Sequence, residues 1–159
     1  EIINMKKYKK ISIIVLCVCL LLGTGCINED TEGNKIGDEI IRCLNEDDTQ
    51  GLKDVFCAES QISKDLDDQI QAGMDFFDGK VAQSNAANVD GGESVRDGET
   101  IKQDYRIHYN ELKTDTGKTY EVICQGFFIC EEDTDAVGVS EIDIYDEDGN
   151  VCKIGEFID

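Results

Sequence analysis

The chain has 159 residues, with 35 Asp and Glu against 15 Lys and Arg, a net charge of −20, eight cysteines and one histidine. A chain this acidic repels phosphate backbones, which argues against nucleic acid as a partner, and anionic lipid headgroups, which argues against membrane contact through its protein surface. No Gly-x-Ser-x-Gly elbow, histidine ligand pair, Cys-x-x-Cys pair or dinucleotide glycine pattern occurs, so no catalytic residue, metal or cofactor is indicated.

The first 26 residues have the layout of an export signal. Lys6, Lys7, Lys9 and Lys10 make a basic patch, Ile11 to Leu22 an apolar run, and Gly23-Thr24-Gly25 brings small residues to Cys26. We read residues 1–25 as a lipoprotein signal peptide, with Met5 as its start, and Cys26 as the lipid attachment site. The domain then stands on the outer face of the cell membrane and meets the membrane only through its lipid. Gly23 occupies the place where such a box usually has an aliphatic residue, so an ordinary signal peptidase could cut the same bond and leave Cys26 bare. A third reading is an uncleaved membrane helix, but Ile11 to Ile27 is at the short limit of the roughly 17 to 25 apolar residues that a span requires.

The leader carries four of the 15 bases and one of the 35 acids, so 34 acids face 11 bases beyond it, a net charge of −23. Residues 26–34 are expected to form an acidic tether, with 35–159 as one domain. Five cysteines follow the leader: Cys43, Cys57, Cys124, Cys130 and Cys152. An odd number leaves at least one free thiol, and pairing does not follow from sequence. We expect mostly buried thiols with at most one bridge.

From Lys35 to Asn45, Ile36, Ile40, Ile41 and Leu44 recur at helical spacing. Asp48 or Thr49 can cap a second, shorter helix through Cys57. A third helix starts near Ser60 or Ser63, places Ile62, Leu66, Ile70, Met74 and Phe77 on one face, and ends at Gly79. Beyond it the period becomes alternating. Lys80 to Asn85 reads as a strand, and Ala86 to Thr100 as a long glycine-rich connection. Ile101 to Leu112 turns Tyr105, Ile107 and Tyr109 to one face and Arg106, His108 and Asn110 to the other, with Leu112 out of phase, which predicts a bulge. Thr119 to Cys130 is apolar on both faces and should be central in the sheet. A second phase shift near Ser140 separates Val137 and Val139 from Ile142 and Ile144. The turn Asp148-Gly149 leads to a last strand, Val151 to Ile158. Helices followed by bulged antiparallel strands make an α+β fold, a bent sheet around one long helix.

Asp115-Thr116-Gly117 matches the aspartic protease triplet, but its flanks Lys113, Thr114 and Lys118 are those of a hairpin turn. Asp143, Asp146 and Asp148 could form a weak calcium site, against which a simple acidic turn is the plainer reading. A histidine suits acid–base work near neutral pH, yet alternation places His108 opposite the tyrosines, as a surface or edge residue. Tyr105, Tyr109 and Tyr120, with Phe77 and Asp75 from the third helix, are the candidate pocket; the same aromatics serve equally as ordinary core.

The helix ending Ile40-Ile41-Arg42-Cys43-Leu44-Asn45-Glu46-Asp47-Asp48, then Leu52-Lys53-Asp54-Val55-Phe56-Cys57, then Met74-Asp75-Phe76-Phe77-Asp78-Gly79-Lys80-Val81, stand upstream of Thr114-Asp115-Thr116-Gly117-Lys118-Thr119-Tyr120 and Val137-Gly138-Val139. In this order they resemble a family of lipoproteins of unknown function from clostridia and their relatives. The resemblance implies a cystatin-like cone of the nuclear transport factor 2 type and carries over no catalytic residue.

Three functions fit. The first is a non-catalytic surface lipoprotein that binds a small apolar ligand, a peptide or a partner protein. The second is a pocket enzyme of isomerase or dehydratase type, with Tyr105 or Tyr109 as donor and an inward Asp75 as base. The third is a structural module that dimerises through an apolar outer sheet face at Ile123, Phe127 and Ile129.

Overall fold

A computed structural model describes residues 29–158. The helical stripe read at Ile36, Ile40 and Leu44 forms helix α1, Glu29–Glu46, with Ile40 and Leu44 buried beneath it. The helix begins six residues before the predicted Lys35, so residues 29–34, expected as tether, are helical. Cys26 and the leader lie outside the described residues. At the far end Asp48 caps helix α2, Thr49–Val55, accepting from Gly51 N at 2.9 Å. Arg42 reaches both Glu39 and Asp48, at 2.7 and 2.8 Å, and fixes the α1–α2 corner.

Two further helices follow, α3 at Ala58–Gln61 and α4 at Leu66–Phe76. The predicted third helix is thus broken in two, because Ser63 N turns back to Ser60 O and ends α3. The break takes Ile62 off the apolar stripe: it is 83% exposed, whereas Leu66, Ile70, Met74 and Phe77 are buried as expected. Gly79, at φ +92°, turns the chain from α4 into the sheet, a conformation open to glycine without cost.

The sheet comprises β1 (Val81–Ser84), β2 (Asn88–Asp90), β3 (Glu93–Arg96), β4 (Glu99–Thr114), β5 (Thr119–Cys130), β6 (Gly138–Asp146) and β7 (Val151–Gly155). Its order is β1-β4-β5-β6-β7, with β2 and β3 also paired to β4, and all pairs antiparallel. The architecture is α+β: a few helices followed by a curved, open seven-stranded sheet.

The predicted connection over Ala86 to Thr100 is instead an edge made of short pieces. β1, β2 and β3 run successively along one side of β4, and a tight turn at Asp97-Gly98 (φ +54° and +86°) closes the β3–β4 hairpin. Its polar residues face solvent on an edge rather than a core, so alternation of apolar residues was absent from the sequence. Short edge strands also blunt the risk of pairing with another chain. The last strand ends at Gly155, three residues before the predicted Ile158.

Both predicted bulges are present. The β4–β5 register shifts between Tyr109 and Leu112, which returns Leu112 to the core, and the β5–β6 register shifts between Gln125 and Gly126, opposite Ser140. Strand β5 lies at the centre, as its apolar faces predict. One face of the sheet packs Tyr105, Ile107, Tyr109, Tyr120, Val122, Cys124, Ile142, Ile144 and Ile154 against the helices.

Glycines let the helices approach the sheet closely. Gly37 sits where a Cβ would come within 2.7 Å of Tyr109 Oη, Gly33 lies against Val89, and Gly73 of α4 lies against Ile154. Asn45 Oδ1 accepts from Val81 N at 2.7 Å and fixes the C-terminal end of α1 to β1.

Candidate functional site

The C-terminal ends of α1 and α4 meet the start of β1 and the β4–β5 turn around a surface depression of about 500 Å³. Leu44, Met74, Phe76 and Phe77 form its apolar part; Asn45, Asp47, Asp75, Asp78, Lys80 and Lys118 supply its polar lining. Lys118 Nζ pairs with Asp78 at 3.1 Å, and Asp75 accepts from Gln71 Nε2 at 2.9 Å. Of the candidate pocket residues, Asp75 and Phe77 line this depression, and Tyr120 stacks beneath Phe77 with ring centroids 4.6 Å apart.

The Asp115-Thr116-Gly117 triplet builds one wall of that region as a turn. Lys80 N donates to Asp115 Oδ1 at 2.8 Å, Asp115 N donates to Lys80 O, and Thr116 Oγ1 donates to Asp78 O at 3.1 Å. The triplet latches the end of α4 onto the β4–β5 hairpin. Its carboxylate is an acceptor for a backbone amide in that turn.

Tyr105 and Tyr109 stand elsewhere. Tyr105 is 2% exposed and packs on Phe128 at 4.3 Å, and its hydroxyl, close to Gly126, finds no hydrogen-bond partner among the described residues. Burial pushes its pKa well above the usual phenol range. Tyr109 Oη donates to Asp38 Oδ1 at 3.3 Å, and burial followed by that carboxylate pushes its pKa up to about 12. Asp38 lies on the exposed side of α1, and Asp75 on the exposed side of α4, so neither carboxylate faces the interior. The concave side of the sheet is occupied by side chains: Tyr105, Tyr120, Ile40, Leu52, Ile107 and Leu112 are all fully buried.

His108 is half-buried on the opposite sheet face, with Nε2 2.6 Å from Glu121 Oε1 on the neighbouring strand. That face does not expose the apolar patch expected of a dimer. Ile123 and Phe127 are buried, Phe127 under the Lys102 ammonium at 4.7 Å and beside Phe157 at 5.6 Å. Asp146 accepts from Asp148 N, Asn150 N and Asn150 Nδ2, which hold its carboxyl below the usual range. Those donors make it the cap of the β6–β7 turn. Among the described residues no group of three or more His, Cys, Asp or Glu is placed to hold a metal. The five cysteines among the described residues are free; Cys43, Cys57 and Cys124 are buried, and burial raises the thiols of Cys43, to about 11, and Cys124.

The sequence reading missed one cluster on this face. Glu141 and Asp143 of β6, both nearly buried, share the Lys153 ammonium of β7 at 2.9 and 3.4 Å. Burial alone would raise Glu141, but Lys153, Gln125 and Phe157 N together hold its carboxyl below the usual range. Asp143 goes the other way: burial, then the Glu141 charge, raise it, against smaller opposing contacts from Lys153, 3.4 Å from Oδ1, and from the Tyr145 hydroxyl. An acid whose folded pKa is raised lends stability below its unfolded pKa and loses it as pH rises through the folded value. Asp143→Asn should therefore raise the melting temperature at pH 7, with the gain shrinking as pH falls through the carboxylate range. Thermal melts across that range check this, and a loss at neutral pH would mean that the ion pair outweighs burial.

The fold and the depression define an α+β domain with a packed interior and a mixed acidic and apolar surface site. The chain belongs to the family described as a domain of unknown function, DUF5104, whose model matches residues 39–147. No curated protein is similar enough to match it.

Proposed function

We propose that the chain is an exported protein held at the outer face of the cell membrane by lipid on Cys26, and that its domain acts by binding a peptide or protein partner rather than by catalysis. The observation that carries the anchoring is the leader: a basic patch, an apolar run and small residues ending at Cys26. Among the described residues no helix is long and apolar enough to cross a membrane.

Binding is favoured over catalysis because Tyr105 points into a filled interior, the Tyr109 and Tyr120 hydroxyls are engaged by Asp38 and by Asp78 N and Phe76 O, and Asp75 is exposed rather than inward. A filled interior leaves surface depressions, rather than the cone, for a ligand: the one at Asp75 and Phe77, and a second of about 690 Å³ between α4 and Glu141, Lys153 and Phe157. Helices packed on one face of a curved antiparallel sheet support the reading as a cystatin-like cone.

Cys26→Ser should move the protein from the membrane fraction to the medium, as judged by immunoblots of fractionated cells. Retention in the membrane would reject lipid anchoring in favour of an uncleaved leader.

A further inference from the structure

Strand β7 ends the sheet, and among the described residues it pairs with β6 alone. Glu156 N donates to Ser140 O and Asp146 N donates to Asn150 O, both at 3.0 Å, so Asn150, Cys152, Ile154 and Glu156 turn their backbone groups to β6. Alternation then sends the N–H and C=O groups of Val151, Lys153 and Gly155 away from the sheet. Gly155 N shows that edge in use: it donates to Gln69 Oε1 of α4 at 2.8 Å, a side chain standing where a further strand would lie. Nothing among the described residues caps Val151 or Lys153 in the same way. A lysine on a short edge strand is a common guard against pairing. Lys153 leans the other way, its ammonium held over β6 by Glu141 and Asp143 at 2.9 and 3.4 Å, which leaves the edge clear. The opposite edge is less open, since β1, β2 and β3 are separate short pieces, β1 slips register after Val81, and Asn45 already takes the Val81 N–H.

The depression of about 690 Å³ lies along this edge, with Lys153, Gly155 and Phe157 on the strand side and Asp65, Leu66 and Gln69 on the helical side. Three carboxylates of its lining, Glu59, Asp65 and Glu156, are in no ion pair, and its one basic residue, Lys153, is engaged by Glu141 and Asp143. Phe157 and Ile158, both half-buried, add an apolar surface. We propose that β7 and α4 hold a strand of a partner peptide between them, an extended segment with a basic residue beside a β-branched or other apolar one. Its backbone pairs with Val151 and Lys153, its basic side chain meets the unpaired carboxylates, and its apolar side chain lies on Phe157 and Ile158. A second copy of this chain is a poorer occupant, because a chain of net charge −20 repels its own copy. The inference rests on the reading of the domain as a peptide binder and is independent of its anchoring.

Random peptides displayed on phage and panned on the full-length protein supply the probe. Recovered sequences should be rich in Lys or Arg together with Val, Ile or Thr. A synthetic copy of the strongest should slow amide exchange at Val151 and Lys153 by about tenfold or more, and leave Cys152, already bonded to β6, unchanged. Val151→Pro removes an outward N–H and fills its place while sparing the β6 ladder, so it should weaken that peptide by about tenfold or more. Glu156→Lys alters only an exposed side chain; it should weaken the peptide several-fold through charge, and it stands in if the proline variant fails to fold. Protection that maps instead to Asp75, Asp78 and Lys80 overturns the strand-edge site and keeps the domain a binder. Panning that enriches nothing overturns both. A dimer whose Val151 and Lys153 amides are protected without peptide makes a second copy the occupant and overturns the peptide.

Discussion

Gly126→Ala should destabilise the domain by about 3 kcal/mol, the upper end of what overpacking a filled site costs. In an ordinary strand the same change would be mildly favourable, because alanine loses less backbone freedom than glycine. Here the added Cβ would collide with Gly138 O, and backbone at that point has no room to retreat. The register slip opposite Ser140 brings β6 over Gly126, Cys57 N donates to Val139 O at 2.7 Å, and Gly138 presses on Cys57. The Cβ would also come within 3.0 Å of Tyr105 Oη. Strand, bulge and helical layer are thus locked together at one missing side chain. Gly98→Ala is the control: open space surrounds it, so only the φ of +86° resists, at about 1 kcal/mol. Urea unfolding of both variants measures the difference, and a Gly126→Ala loss no larger than that of Gly98→Ala would show that the sheet can relax around the bulge.

Periodicity located what depends on periodicity. The stripe of α1, the alternation of Tyr105, Ile107 and Tyr109, and the slips at Leu112 and Ser140 are each visible as a phase in the sequence, and the structure places them so. Where burial is not what fixes the chain, the signal fails. The β1–β2–β3 edge is held by backbone pairing to β4 and its side chains are mostly exposed, so it resembles a loop. The break after α3 is set by a local turn, and Ile62 keeps helical spacing across it while pointing into solvent. The candidate site was half legible for the same reason. Asp75 and Phe77 lie on one helix and were found together; Asn45, Lys80 and Lys118 join them only because α1, β1 and the β4–β5 turn converge in space. Asp143 was legible only as part of an acidic turn or a weak calcium site, and Glu141 not at all, because Lys153 and the C-terminal residues that cover them come from elsewhere in the chain.

Tyr120→Ala should cost about 3 to 5 kcal/mol, the usual range for removing a buried aromatic. The ring is 2% exposed and packs against Phe76 and Phe77, with centroids 6.1 and 4.6 Å away, so its loss opens a void under the depression. Its hydroxyl has a separate role. Tyr120 Oη donates to Phe76 O at 3.2 Å and accepts from Asp78 N at 3.0 Å, closing the end of α4 where the chain turns at Gly79. Tyr120→Phe keeps the ring and leaves those two backbone groups unpaired, so about 1 to 3 kcal/mol should be lost. Tyr105→Phe removes the same atom from an equally buried ring, yet that hydroxyl has no partner, and deleting it relieves a desolvated polar group without orphaning another. The substitution should be neutral or stabilising. Urea titrations of the three variants separate packing from hydrogen bonding, since the two phenylalanine variants delete the same oxygen. A Tyr105→Phe loss matching that of Tyr120→Phe would mean that Tyr105 Oη is satisfied in solution, by water or a ligand reaching the interior, and would reopen the pocket as a binding site.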